Sequence, residues 1–89
     1  MAWRAPVRLR MAEASAALDA GRAAIAAGET RIDLSAATDV DSSAVALLLA
    51  WRRSAGARAL AFEGASPALA ELAKLYGVDE LIGLVPATS

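Results

Sequence analysis

An α/β fold, a small sheet covered by helices within a single domain spanning residues 1–89, is what the sequence predicts, and three observations predict it. Strand-like and helix-like segments alternate three times along 89 residues without internal repeats or long linkers, the pattern of a sheet crossed by helices. Apolar residues recur at spacings of three and four in some segments and of two in others. Gly28, Gly56 and Gly77 fall where the helical patterns stop, as residues able to take the left-handed conformation do.

The elements follow in order. Val7 to Leu9, an apolar pair around an arginine, reads as a short half-buried edge strand. From Glu13 to Ala27 the small or apolar residues Ala14, Leu18, Gly21 and Ile25 mark an amphipathic helix ended by Gly28. Thr30 to Leu34 alternates Arg31 and Asp33 with Ile32 and Leu34, the period of a strand with one buried face. Ser35 to Asp41 is rich in Ser, Thr and Asp, which favour turns and helix N-caps. A helix is expected from Ser42 to Ala55, with Arg52 and Arg53 complementing its C-terminal dipole and Gly56 stopping it. Arg58 to Glu63 is a third strand. Ser66 and Pro67 open a last long helix, Pro fitting the first helical position because its missing N–H would have no helical partner there. That helix carries Leu69, Leu72, Ala73 and Tyr76 to its stop at Gly77. Val78, Leu81 and Ile82 then form an apolar turn or helix closing the core, and the tail after Pro86 frays.

Composition excludes several classes of function. Hydrophobic residues make up 57% of the chain, but 25 of them are alanine, at home on a helix surface or in a tight helix-sheet contact. The longest apolar run, Ala44 to Trp51, falls far short of the roughly 20 residues of a membrane span. Arg4, Arg8 and Arg10 are followed by Glu13, Ser15 and Asp19 rather than an apolar segment, so a cytoplasmic location is expected. The net charge is -1 and the basic residues are scattered among acidic ones without aromatic interleaving, which argues against nucleic acid. There is no cysteine and no histidine, which removes thiolate chemistry and the commonest metal ligand and general base. Lys74, the only lysine, lies in a later helix, so no enzyme is expected. Asp39 and Asp41 lack further ligands around them, so neither a metal nor a cofactor is assigned.

The run Ile32-Asp33-Leu34-Ser35, then Val40-Asp41-Ser42-Ser43-Ala44-Val45-Ala46-Leu47-Leu48-Leu49, resembles the core motif of STAS domains. In that family a strand ending in Asp-Leu-Ser is followed by a loop reaching Asp-Ser-Ser or Asp-Thr-Gly, which opens the central helix. The resemblance spans Arg31 to Ile82 and implies a STAS fold, a small mixed sheet covered by helices, here with a shortened N-terminal region. Leu72-Ala73-Lys74-Leu75-Tyr76-Gly77-Val78 is similar to one branch, the small STAS subunit of Mla-type phospholipid ABC transporters, which keep outer-membrane lipids asymmetric. That branch implies an adaptor docked on the transporter's cytoplasmic ATPase, peripheral to the inner membrane in a complex with a membrane permease. A sister branch, the anti-sigma factor antagonists, is switched by phosphorylation of a serine that corresponds to Ser43. Ser42 falls where the transporter branch carries a threonine, and Ala44 stands where Asp-Ser-Ser-Gly has glycine.

On a helical wheel Val45, Leu48, Leu49 and Arg52 share one side of the central helix. Ser43, Ala46, Leu47, Ala50, Arg53 and Ser54 share the other, which is unusually apolar for a solvated face. So short a chain has little to cover the helix all round. A docking face of Ser42, Ser43, Ala46, Leu47, Ala50, Trp51, Ser54 and Tyr76 is therefore expected, with Leu47→Asp abolishing binding while leaving the fold intact. Packing of Leu47 and Ala50 under a neighbouring helix is the alternative, as a core or rim place is for Trp51 and a packing role for Tyr76, and N-capping is the plainer role for Ser42 and Ser43. The exposed apolar face also predicts self-association when the partner is absent.

Overall fold

The computed structural model describes residues 2–78 and 84–86. Six short strands and three helices alternate: β1 (Trp3–Arg4), β2 (Arg8–Leu9), α1 (Met11–Ala26), β3 (Arg31–Asp33), β4 (Asp39–Val40), α2 (Ser42–Ala55), β5 (Ala61–Ala65), α3 (Pro67–Leu75) and β6 (Leu84–Pro86). The four-stranded sheet has the order β1-β3-β5-β6, and β2 and β4 form a separate pair. The expected mixed sheet is corrected in one respect: every strand pairing among the described residues is parallel. The reason lies in the N-terminal region. β1 and β2 do not form a hairpin with each other; β1 joins β3, and β2 joins β4, so no antiparallel ladder arises.

Each step across the larger sheet is made through a helix and always in the same direction. Right-handed crossovers then place α1, α2 and α3 on one face. α2 lies in the middle, touching α1 on one side and α3 on the other. Ile32 and Phe62 pair across β3 and β5 and point inward, fully buried, while Arg31 and Glu63 point outward. That outer face is tied by Arg4–Asp33 at 3.5 Å and by Arg31, which donates to both oxygens of Glu63. Gly64, at φ 71°, sits at the register shift between β5 and β6.

The helices begin and end close to expectation, α2 over the residues foreseen. Gly56 takes φ 62° after α2 and Gly77 takes φ 69° after α3, where a side chain would be strained. Pro67 opens α3, and Ser66 caps it. Three strands were not foreseen, among them β6, which lies between the expected apolar turn or helix and the tail. β1 lies before the expected first strand and supplies the edge of the four-stranded sheet. β4 lies within the segment read as a connecting loop. The strand expected from Val7 is the edge not of the main sheet but of the small one, with Leu9 fully buried. The third strand starts later, at Ala61. Val78 packs against the core; Leu81, Ile82 and the tail after Pro86 lie outside the described residues.

Candidate functional site

α2 is fixed at its start by Asp41. The carboxylate Oδ1 accepts from the Ser43 N–H at 2.9 Å, and Oδ2 accepts from the Met11 N–H at 3.1 Å. One side chain thus satisfies the first turns of two helices. Capping was expected of Ser42 or Ser43 and is corrected to Asp41, because those serines already belong to the helix. Burial works to raise the Asp41 pKa, but the Met11 and Ser43 N–H groups, the Ser43 side chain and nearby Arg10 outweigh it and hold the carboxyl below its ordinary value. A carboxylate stabilised in this way is a poor proton acceptor for Ser43.

From that shared start α1 and α2 run side by side in the same direction. The Trp51 indole N–H donates to the Leu18 carbonyl at 3.2 Å, and Arg22 Nε donates to Ser54 Oγ at 3.2 Å one turn farther on. Ser54 Oγ in turn donates to the Ala50 carbonyl. Between the helices lies an open apolar groove of about 460 Å³, lined by Ala14, Ser15, Leu18, Ser43, Ala46, Leu47, Ala50 and Arg53. A second, of about 470 Å³, lies between α2 and the end of α3 and is lined by Ser42, Val45, Ala46, Leu49, Tyr76 and Val78.

The expected site residues divide between surface and core. Ser42, Ala46 and Tyr76 are exposed, and Ser43, Ala50 and Ser54 are half-buried. Ala46 belongs to both grooves, so its small side chain sits on the low crest between them. Leu47 and Trp51 are core residues, 4% and 0% exposed. The expectation that both lie on a free docking face is corrected: α1 approaches α2 closely enough to cover them, leaving only an edge of Leu47 on the groove floor. Trp51 is held further by an edge-to-face contact with Trp3, ring centroids 5.4 Å apart.

Sequence reasoning missed the wall contributed by α1. Ala14, Ser15, Leu18 and Arg22 form a second stripe beside the buried one of Ala17, Gly21 and Ile25. Two adjacent stripes at helical spacing are the signal that could have revealed it. The end of α3 also leaves Leu75 77% and Tyr76 54% exposed.

This surface can bind but carries little to react with. Among the described residues no cluster of His, Cys, Asp or Glu could hold a metal ion, and no helix is long and apolar enough to cross a membrane. Its polar groups are the hydroxyls of Ser15, Ser42, Ser43 and Tyr76 and the guanidinium of Arg53. Searches of the curated proteins and of the solved structures return no match. The protein-family model described as MlaB, STAS domain, matches residues 7–86, which takes in the helix starts that Asp41 joins and both grooves, and the chain belongs to that MlaB-like STAS domain family.

Proposed function

We propose that this chain is a non-catalytic adaptor subunit that docks on the cytoplasmic ATPase of a phospholipid ABC transporter, held at the inner membrane through that complex. The observation that carries the reading is the exposed side of α2, where Ser42, Ala46, Leu49 and Arg53 form the crest between two apolar grooves. A helix turned only to water would carry polar residues at Ala46 and Leu49 as it does at Ser42 and Arg53. Apolar grooves beside a helix are a form of surface that a partner helix can enter. Membership of the MlaB-like family supports a regulatory or adaptor role, and the resemblance of Leu72 to Val78 to the transporter branch points to the ATPase.

The test is co-purification of the tagged chain from its host, with mass spectrometry of the captured proteins and of the bait. Recovery of an ABC ATPase with wild type, lost with Ala46→Arg, is the expected result. Ser43 lies on the wall of the first groove, and this favours the second reading, an anti-sigma factor antagonist. A phosphate there would add nearly two negative charges to the docking face. Recovery of a nucleotide-binding serine kinase together with bait phosphorylated at Ser43 would replace the first reading with the second.

A further inference from the structure

The groove between α1 and α2 carries charge of one sign only. Arg53 is the sole ionisable residue lining it, and Arg22 stands at the same end, bonded to Ser54. Four other arginines are matched: Arg4 with Asp33, Arg8 and Arg10 with Asp39, and Arg31 with Glu63. Among the described residues no carboxylate is paired in this way with Arg22 or Arg53. The dipole of α2 accounts for a cation in its last turn. It does not account for Arg22, whose helix continues to Ala26, or for the apolar trough that leads from these two residues back toward the helix starts.

We propose that this groove takes an amphipathic helix of the partner, laid along α1 and α2, with a carboxylate side chain placed between Arg22 and Arg53. The inference rests on the docking reading given above. A trough between two side-by-side helices fits a third cylinder, and the small side chains of Ala14, Ala46 and Ala50 let its backbone come close. A carboxylate on that helix gives Arg22 and Arg53 the kind of partner that Arg4, Arg8, Arg10 and Arg31 already have. A planar bilayer fits the concave trough poorly. A second copy of this chain meeting the groove through the same face would bring the same two arginines and no carboxylate to the contact.

The experiment selects helix-forming peptides from a displayed library on the wild-type protein. It then measures binding of the selected peptides, made synthetically, to wild type, Arg53→Glu, Arg22→Glu/Arg53→Glu and Ala46→Arg, with circular dichroism confirming that each variant is folded. Both arginines are exposed, so the charge reversals leave the fold in place. Selected sequences are expected to carry Asp or Glu at one end of an apolar stripe. Their binding should fall about tenfold or more with Arg53→Glu, the range for a lost charge-assisted hydrogen bond, and should recover when the peptide's acid is changed to Lys. It should also weaken with added salt.

The proposal is overturned if no peptide is selected, if the selected peptides lack acids, or if binding ignores the charge reversals. It is likewise overturned if wild type instead binds vesicles of phosphatidylglycerol and phosphatidylcholine, or dimerises in a concentration-dependent way, through a face that Ala46→Arg abolishes. Acidic peptides that bind as expected while no ATPase co-purifies would leave this groove assignment standing and remove the transporter reading. An ATPase captured equally by wild type and by Arg22→Glu/Arg53→Glu would do the reverse.

Discussion

Gly21 of α1 lies directly against the indole ring of Trp51 in α2, so that a methyl group on its Cα would overlap the ring nitrogen and the adjoining ring carbons. The two helices can stand this close only because position 21 has no side chain. Their contact covers Trp51 completely and sets the depth of the groove beside it. Neither backbone is free to move aside, since the indole N–H is bonded to the Leu18 carbonyl one turn earlier. Gly21→Ala therefore gains about 1 kcal/mol of helix propensity but loses more through overpacking, for a net cost of up to about 2 kcal/mol. Urea unfolding should show this loss. In a double-mutant cycle with Trp51→Leu the two costs should fall short of adding by about 1 kcal/mol, within the range for residues in contact.

Adjacent positions on α2 separate folding from docking. Leu47 is core and Ala46 is surface, although both fall on the apolar side of the helical wheel. Leu47→Asp places an unpaired charge in the core and should cost more than about 4 kcal/mol, enough to unfold most or all of so small a domain. Ala46→Arg should change stability by no more than about 0.5 kcal/mol while blocking both grooves. Circular dichroism of the two variants, read beside their capture of the ATPase, checks the contrast. A folded Leu47→Asp protein would contradict the burial described for that side chain.

What was legible in the sequence, and what was not, follows the range of the interactions concerned. α2 was foreseen from Ser42 to Ala55 because its limits are local: Asp41 supplies the cap and Gly56 the left-handed stop. The buried residues Ile32, Leu34 and Phe62 followed from alternation along β3 and β5. β4 escaped because a strand of two residues has no period, and its partner Arg8–Leu9 lies some thirty positions away. β1 escaped for the same reason, its pairing with Ile32 and Asp33 being nonlocal. The error at Leu47 is of another kind. A helical wheel gives the width of the apolar arc but not how far a neighbour reaches round it, and that reach is decided by Gly21, Ala17 and Ala14 on a different helix. The site was thus legible as a face of α2 and not as a groove, because half of its wall belongs to α1.

Ser66 joins two parts of the fold through one hydroxyl. It is buried, at 7% exposure, donating to the Ala37 carbonyl at 3.0 Å and accepting from the Leu69 N–H at 3.3 Å. Ser66→Ala removes the cap of α3 and also leaves the Ala37 carbonyl without this donor. A buried group deprived of its partner costs about 1–3 kcal/mol. At about 4–8 °C per kcal/mol for a domain of this size, the melting temperature should fall by about 5 °C or more. A change confined to the first turn of α3, visible as faster amide exchange there alone, would mean that the bond to Ala37 contributes little.

The two hydrogen bonds that Asp41 accepts predict how stability changes with acid. Its carboxyl is held below the ordinary value of 3.8 in the folded protein. Asp33 is also held low, first by the Ser35 side chain and then by its backbone N–H, with Arg4 adding to the effect. Groups with lowered pKa stabilise the fold fully above their unfolded value and lose that contribution as pH falls through the folded one. Stability should therefore be level near neutrality and fall below about pH 4, the unfolded value for aspartate. Asp41→Asn tests the geometry as well as the charge. An amide has one oxygen and can accept from Ser43 or from Met11, but not from both in the present arrangement. The variant should therefore unfold at lower urea than wild type at pH 7, and the gap between them should close as the pH falls below the ordinary aspartate value and through the lower folded-state one, where the wild-type carboxyl takes up its proton. Urea midpoints for the two proteins across that range give the answer: a gap that stays constant with pH would show that the ionised carboxylate is not what fastens α1 to the start of α2.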